Sequence, residues 1–379
     1  MKIGIDISQI VYGTGVSKYA ENLVKNLLKI DHKNQYILFG ASLRQRGKLN
    51  EFKTKLESYK NVEFKIIPLP PRVLEFLWNT LHFYPIDKFI GKVDVFHSSD
   101  WLQPPIKSAK TKKITTIHDM VVYLFPSSVH PRIIANQKNR LKRVKKEIDF
   151  VITDSSTTKE DIIKFLQIPQ DKINIVLLAA SEQFTPSEEN KINSVLEKYK
   201  IKKPYILSVA TQEPRKNIQK LLDVFELISQ NPKYKHEKAQ LVLVGKFGWG
   251  EGLRSAENVI WTDYVPDGDL IALYSGCRVF VYPSLYEGFG LPVLEAMACG
   301  APVVTSKNSS MAEIARDTAI LIDPRSEGQL RKAIEMVLDL KLENYQKMVN
   351  ASLTRARKFS WSKTAKETLK LYRKLYRQK

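Results

Sequence analysis

Residues 281–305 read VYPSLYEGFGLPVLEAMACGAPVVT, and their pattern decides the fold. The apolar run 279–283 is short and unbroken, as a parallel strand buried on both faces requires. A turn-prone loop follows, Glu287-Gly288-Phe289-Gly290. Pro292 suits the first position of a helix, where an N–H would be unpaired anyway and a fixed φ is already helical. Leu291, Val293, Leu294, Ala296, Met297 and Ala298 extend that helix, Gly300 is its C′ stop, and 301–305 is the next strand. Strand, loop, helix and strand in this order form the crossover unit of parallel sheets.

The chemistry belongs to the junction of loop and helix. The first N–H groups of a helix lack intrahelical partners and sit at the positive end of its dipole, so they attract a phosphate. Gly288 and Gly290 let the backbone approach a ligand closely. Glu287 before the helix and Glu295 in its first turn would repel a phosphate. They make sense as groups that bind hydroxyls on either side of it, a sugar on one side and a ribose on the other. The pattern Glu-x7-Glu within YPSLYEGFGLPVLEAMACGAPVVTS resembles the signature of the retaining glycosyltransferases of family 4, which have the two-domain GT-B fold. The resemblance implies that Glu287 sits beside the transferred sugar and Glu295 holds the ribose hydroxyls. It also implies that Gly288, Phe289, Gly290, Leu291 and Val293 belong to the donor site. The competing reading is a helix start with two solvated glutamates.

Composition sets the frame. A chain of 379 residues exceeds what one core usually covers, so two domains are expected. The 43% hydrophobic content is ordinary for a globular protein, and no run of about 18 apolar residues exists to span a membrane. The start, MKIGIDISQIVYG, opens as a strand without a signal-peptide layout. Cys277 and Cys299 lie in apolar surroundings with no metal or disulfide spacing, and a cytoplasmic location is expected. The net charge of +20 makes nucleic acid, an anionic membrane face and a diphosphate ligand candidates, and a diphosphate needs only a few of those cations.

In the first half, strand 1–7 leads into Gly13-Thr14-Gly15 and a helix from near Val16 or Ser17. A lone GTG is weak evidence for a phosphate site. The resemblance implies that this loop closes over the donor, with Gly15 in contact. Residues 73–83 (VLEFLWNTLHF) form an unusually apolar short helix that either packs on its own sheet, lines the acceptor cleft or dips into a lipid interface. Strand 113–117 ends in His118-Asp119. TTIHDM matches the histidine that in this family faces the donor sugar, with Asp119 expected to orient the imidazole. In KNRLKRVKK (138–146), Leu141 and Val144 take one side and cations most of the rest, giving either a solvated face or a dock for an anionic leaflet. No aromatic platform is interleaved there for nucleic acid. Ser156 or Thr157 is expected to cap a helix over 159–165. Ala179-Ala180-Ser181 stands where the family usually carries Pro-Asn-Gly.

The second half restarts the alternation after a polar linker and helix at 186–203. Strand 205–209 precedes ATQEPRKN, and the resemblance implies that this loop brings Lys216, or else Arg215, to the donor diphosphate. The family arginine that can stand earlier in the loop is replaced here by Ala210 or Thr211. The turn 262–266 is expected to hold the nucleotide base. Phe359-Ser360-Trp361 begins a basic helix expected to cross back onto the first domain. The expected class is α/β, with two Rossmann-like parallel-sheet domains facing across a cleft: 1–185 for the acceptor, 186–358 for the nucleotide-sugar, and a crossover helix at 359–379.

The function so implied is a retaining hexosyltransferase needing neither metal nor cofactor. VGKFGWG (244–250), VYPSLYEGFGLP and NSSMAEI (308–314) look most similar to bacterial mannosyltransferases of O-antigen and surface-polysaccharide assembly, which favours GDP-mannose as donor. UDP-glucose or UDP-N-acetylglucosamine comes second. The expected acceptor is a glycan or a lipid-linked glycan, whose carrier would suit the basic charge, with an anionic membrane surface as partner and no nucleic acid. Two readings compete: a GT-B sugar-nucleotide epimerase, without an acceptor, and a basic nucleic-acid binder that has lost catalysis. Intact His118, Lys216, Glu287 and Glu295 argue against the second.

Overall fold

The computed structural model describes residues 1–237, 239–246 and 257–378. The chain divides into two units, Met1–Leu178 with Ser360–Lys379, and Ala179–Phe359. Among the described residues the first unit has one seven-stranded sheet: β1 (Lys2–Asp6), β2 (Gln35–Ala41), β3 (Val62–Ile67), β4 (Val95–Ser98), β5 (Lys112–Ile117), β6 (Phe150–Thr153) and β7 (Ile173–Ile175). Their order is β3-β2-β1-β4-β5-β6-β7, and every pairing is parallel. The second unit has β8 (Tyr205–Val209), β9 (Gln240–Val244), β10 (Val259–Trp261), β11 (Val279–Tyr282), β12 (Val303–Ser306) and β13 (Ile320–Ile322), ordered β10-β9-β8-β11-β12-β13 and again parallel. Ile206, Leu241, Val279, Val281 and Val304 pack with Leu221, Phe225, Leu330 and Ile334 in its core. Each order reverses once, between β1 and β4 in the first sheet and between β8 and β11 in the second. Doubly wound sheets open their ligand crevices at such points.

The helix Trp361–Arg377 belongs to the first unit because its apolar stripe faces that way. Trp361, Ala365, Leu369, Tyr372 and Leu375 are buried at three- and four-residue spacing. Tyr372 Oη lies 2.6 Å from His97 Nδ1, and Thr364 Oγ1 donates to Leu177 O at 2.7 Å. Residues 179–185, placed in the first domain by the sequence, belong to the second. Phe184 meets Tyr274 edge-on at 6.2 Å and Gln183 Nε2 donates to Asp267 at 2.8 Å.

The helix Leu291–Ala298 closes as expected: Gly300 has φ +84°, its N–H donates to Met297 O at 3.1 Å, and Ala301 N–H reaches Ala296 O at 3.0 Å. Pro292 takes the second helical position rather than the first, because Gly290, at φ +98°, serves as the cap. Residues 73–83 are not one regular helix. A turn of α-helix, Pro71–Leu74, runs into a π-helical segment, Glu75–Leu81. Leu74 and Trp78 join the core under β2, while Phe76, Leu81 and Phe83 are 55%, 53% and 67% exposed.

The basic run 138–146 lies on the helix Pro131–Glu147 and is not a uniform charged face. Arg140 is fully buried, donating to Asp100 Oδ1 (3.2 Å), Thr115 Oγ1 (2.8 Å) and Thr116 O (2.9 Å). Breaking a buried charge pair leaves its partners unpaired, so Arg140→Ala should cost roughly 3 kcal/mol or more, and exposed Lys142→Ala about 0.5 kcal/mol or less. Urea denaturation of the two variants reads the difference, and similar midpoints would refute a structural role for Arg140.

Candidate active site

In the second unit the loops after β8 and β11 flank the switch point. The first makes a single 3₁₀ turn, Pro214–Lys216, and reverses at Asn217, whose φ of +60° an asparagine tolerates. Asn217 Nδ2 donates to Pro283 O (3.1 Å) and Pro324 O (2.8 Å), and Leu285 N–H donates to Arg215 O (2.8 Å). The two loops are thus stitched by backbone, and the side chains of Arg215 and Lys216 are delivered to Glu287. Glu287 Oε1 lies 2.7 Å from Lys216 Nζ, 2.7 Å from Ser284 Oγ, 3.0 Å from Arg215 Nη1 and 3.1 Å from Tyr282 Oη. Arg215 Nη1 also donates to Tyr286 O at 2.6 Å. Ser310 Oγ sits 2.8 Å from Glu287 O, and Glu287 N–H donates to Ser309 Oγ at 3.2 Å.

Burial alone would raise the Glu287 carboxyl, but Lys216 and Arg215 outweigh it and hold the group down at about 2. Burial would likewise lower the Lys216 ammonium, and Glu287 reverses this and raises it. A second carboxylate, Glu213, lies 3.4 Å from Arg215 Nη2, so the two cations are matched by two acids. A carboxylate ionised at every physiological pH can accept hydrogen bonds but cannot act as a general acid.

At the helix start, Pro292 has no N–H and Val293 N–H is engaged by Gly290 O at 3.0 Å, which leaves Leu291 N–H as the first-turn donor. A Cβ on Gly290 would come within 3.2 Å of Met311, on top of its positive φ. Val293 is fully buried and anchors the helix in the core, and Phe289 is buried edge-on to Phe359 at 6.3 Å. Gly288 lies in the loop between Glu287 and Phe289. Glu295, expected in the first turn, lies in the second. It is buried, with Oε2 3.5 Å from Tyr274 Oη. In the turn expected to hold a base, Asp263 O accepts from Gly245 N–H at 2.8 Å. Residues 247–250 of VGKFGWG lie outside the described residues.

His118 and Gly15 belong to the first unit. Gly15 is exposed and opens the helix Gly15–Ile30, one or two residues before the expected start; Thr14 N–H donates to Ser17 Oγ at 3.2 Å. His118 Nδ1 is hydrogen-bonded to Asp154 Oδ2, not to Asp119 as expected. The sheet explains the correction. Ile117 of β5 pairs with Thr153 of β6, so the residues that follow, His118 and Asp154, are lateral neighbours. Asp119 instead accepts from Val121 N–H at 2.9 Å. Burial opposes the His118 charge, Asp154 more than restores it, and the imidazolium is held up to about 9. Tyr19 packs edge-on to His118 at 4.6 Å and its hydroxyl meets Thr116 Oγ1 at 2.8 Å. Thr116 Oγ1 also lies 2.8 Å from Nε2 of His97, which burial first, then His118 and Arg140, push down to about 3. The helix cap is Ser155, not Ser156 or Thr157: its side chain accepts from Thr158 N–H.

Sequence reasoning missed Tyr282, Ser284, Ser310 and Asp154. Tyr282 and Ser284 stand two apart at the end of β11, the same-face spacing of a strand, and so were within reach of pattern. Asp154 required the β5–β6 register, and Ser310 is remote in sequence from the carbonyl it serves.

Two Rossmann-like parallel-sheet domains of this kind are the architecture of GT-B glycosyltransferases. WaaG, a glycosyltransferase involved in lipopolysaccharide biosynthesis, matches over 98% of this chain and 99% of its own with a TM-score of 0.68 at 13% identity. Sucrose-phosphate synthase from Thermosynechococcus elongatus matches over the whole of both chains with a TM-score of 0.68 at 18% identity. These likenesses establish the fold. The family models described as Glycosyltransferase Family 4 and Glycosyl transferases group 1 match residues 13–177 and 191–355, and the chain belongs to glycosyltransferase family 4. It is 29% identical to O-antigen chain mannosyltransferase B of Escherichia coli over 99% of this chain and 100% of that one. It is 30% identical to the serotype-specific mannosyltransferase WbdA of Escherichia coli over 74% of this chain, which spans 35% of WbdA.

The depressed Glu287 carboxyl has a consequence for stability. A group ordinarily near 4.5 and held at about 2 in the fold stabilises above pH 4.5 and loses that contribution as pH falls towards 2. The contribution is on the order of 3 kcal/mol. Glu287→Gln should therefore be less stable than the wild type at neutral pH, and the gap should close on acidification. Chemical denaturation at a series of pH values measures it, and a gap independent of pH would show that Glu287 is not so held.

Proposed function

We propose that the chain is a retaining, metal-independent hexosyltransferase that moves mannose from GDP-mannose to a glycan or lipid-linked acceptor in surface-polysaccharide assembly. The observation that carries this reading is Glu287 gripped by Arg215 and Lys216 beside the start of the helix Leu291–Ala298. In the proposed reaction Lys216, Arg215 and Leu291 N–H offset the donor diphosphate, the work a metal would otherwise do. Glu287 accepts hydrogen bonds from the sugar, Glu295 from the ribose, and His118 faces the sugar. The bond from the anomeric carbon to the phosphate oxygen breaks through an oxocarbenium-like state. The acceptor oxygen bonds to that carbon on the same face, and its proton passes to the departing phosphate oxygen. Mannose is favoured by the mannosyltransferase relatives. UDP-glucose or UDP-N-acetylglucosamine is the second donor choice.

We also assign an anionic membrane as the partner of the first unit. Phe76, Leu81 and Phe83 project beside the helix Pro131–Glu147, which carries exposed Lys138, Lys142, Lys145 and Lys146. Exposed apolar side chains beside a lysine-bearing helix suit an anionic leaflet, at about 1 kcal/mol per cation near the surface. Among the described residues no helix is long and apolar enough to cross a membrane.

Two measurements test these readings. In a chelator-containing thermal-shift panel, GDP-mannose should raise the melting temperature most, since a ligand at a hundred times its Kd stabilises by about 2.7 kcal/mol. No response to any nucleotide-sugar would refute the donor reading. Sedimentation with anionic vesicles should fall steeply with added salt and with Phe83→Ser, and equal binding to neutral vesicles would remove the membrane assignment.

A further inference from the structure

Within the second unit, a closed circuit of contacts braces the loop 287–290 from behind. The six-residue helix Ser310–Ala315 forms its first part. Ser310 Oγ lies 2.8 Å from Glu287 O and 2.7 Å from Phe289 O, and Ser309 Oγ accepts from Glu287 N–H at 3.2 Å. Met311 is fully buried and lies against Gly290, 3.2 Å from where a Cβ there would stand. Both residues that flank this helix have positive φ, +60° at Ser309 and +49° at Arg316. Side chains other than glycine rarely adopt such backbone. It persists where the surroundings over-determine it, and it gathers at functional sites.

The far end of the helix is held by buried Arg355, from the helix Leu342–Ala356. Arg355 Nε donates to Ile314 O at 2.5 Å and Nη2 to Glu313 O at 2.9 Å. The last carbonyls of a helix lack intrahelical partners, and a cation suits that end. The guanidinium also lies over the Phe359 ring at 4.8 Å, and Phe359 meets Phe289 edge-on at 6.3 Å, which returns the circuit to the loop. Phe359 is the last residue of the second unit, so the loop is tied to the point where the chain leaves it. A planar, forked cation can serve two carbonyls and cover a ring together, which a lysine cannot. Arg278 is built alike: Nη2 donates to Leu338 O (3.1 Å) and Leu340 O (2.6 Å), and the guanidinium lies over Tyr345 at 4.2 Å. It precedes β11, at the opposite end of that strand from the loop.

We propose that Arg355 and Phe359 are positioning residues that hold the loop 287–290 in the shape that receives the nucleotide-sugar. The identity of the ligand rests on the proposed function, whereas the bracing of the loop is read without any ligand. In the full chain without ligand, hydrogen–deuterium exchange over residues 285–290 should be about tenfold faster in Arg355→Lys and in Phe359→Ala, and unchanged in Arg278→Lys. Affinity for GDP-mannose, or for UDP-glucose where that is the sugar bound, should drop about tenfold in the first two variants, because a loosened loop must be ordered on binding. Affinity should be kept in Arg278→Lys and in Phe359→Tyr, which retains the ring. Phe359 is half-buried, so its variants test the brace if Arg355→Lys fails to fold. Wild-type exchange of the loop in the folded variants, equal loosening in Arg278→Lys, or faster exchange with nucleotide-sugar affinity unchanged would each overturn the assignment. Faster exchange in a chain that ignores every nucleotide-sugar would uphold the brace and sink the donor reading instead.

Discussion

The second unit is built around one buried carboxylate held between two cations. Glu287 closes the loop after β11, and Arg215 and Lys216 close the loop after β8, so the three charges join the strands on either side of the switch point. Taking three charges out of water is expensive, and replacing such groups by apolar ones is often neutral or better for stability. The cluster is therefore weak as a stabilising device. Its value is in what it fixes: two cations held in a sheltered place, beside a helix start whose dipole has the same sign.

The first unit solves a similar problem by register. Parallel pairing of β5 and β6 sets His118 beside Asp154, and the pair holds a proton that burial alone would expel. A second chain of contacts runs from Tyr372 through His97 and Thr116 to Tyr19, whose ring packs on His118. The last helix of the chain thereby supports the wall of the imidazole site. Arg140 with Asp100 adds another buried pair next to the same strand ends. Both units thus place titratable groups just beyond the C-terminal ends of their strands, where side chains from adjacent loops converge.

What could be read in advance follows from the range of the interactions. The helix Leu291–Ala298 was legible because glycine and proline act on their own φ, and both of its ends were marked. His118 was legible as an end-of-strand residue in a familiar setting. Its partner was not, because Asp154 is distant in sequence and Asp119 adjacent, and only the sheet decides between them. Arg140 was hidden in a run of cations whose composition suggested solvent. The π-helical segment was hidden because the apolar run 73–83 satisfies no single period, and part of it is core while part faces out.

The state of Glu287 also bears on how the proposed transfer would run. A covalent route asks this carboxylate to attack the anomeric carbon. Nucleophilicity falls with basicity, and an acid held at about 2 is a poor base. One of its oxygens is held by Lys216, Arg215, Ser284 and Tyr282, and attack through the other would turn into a neutral ester the very charge that these contacts stabilise in a dry site. Accepting a hydrogen bond from a sugar hydroxyl through the other oxygen breaks none of them. The same grip that makes Glu287 an inert nucleophile makes it a stiff positioning group, and stiffness is what a reaction confined to one face of the ring demands.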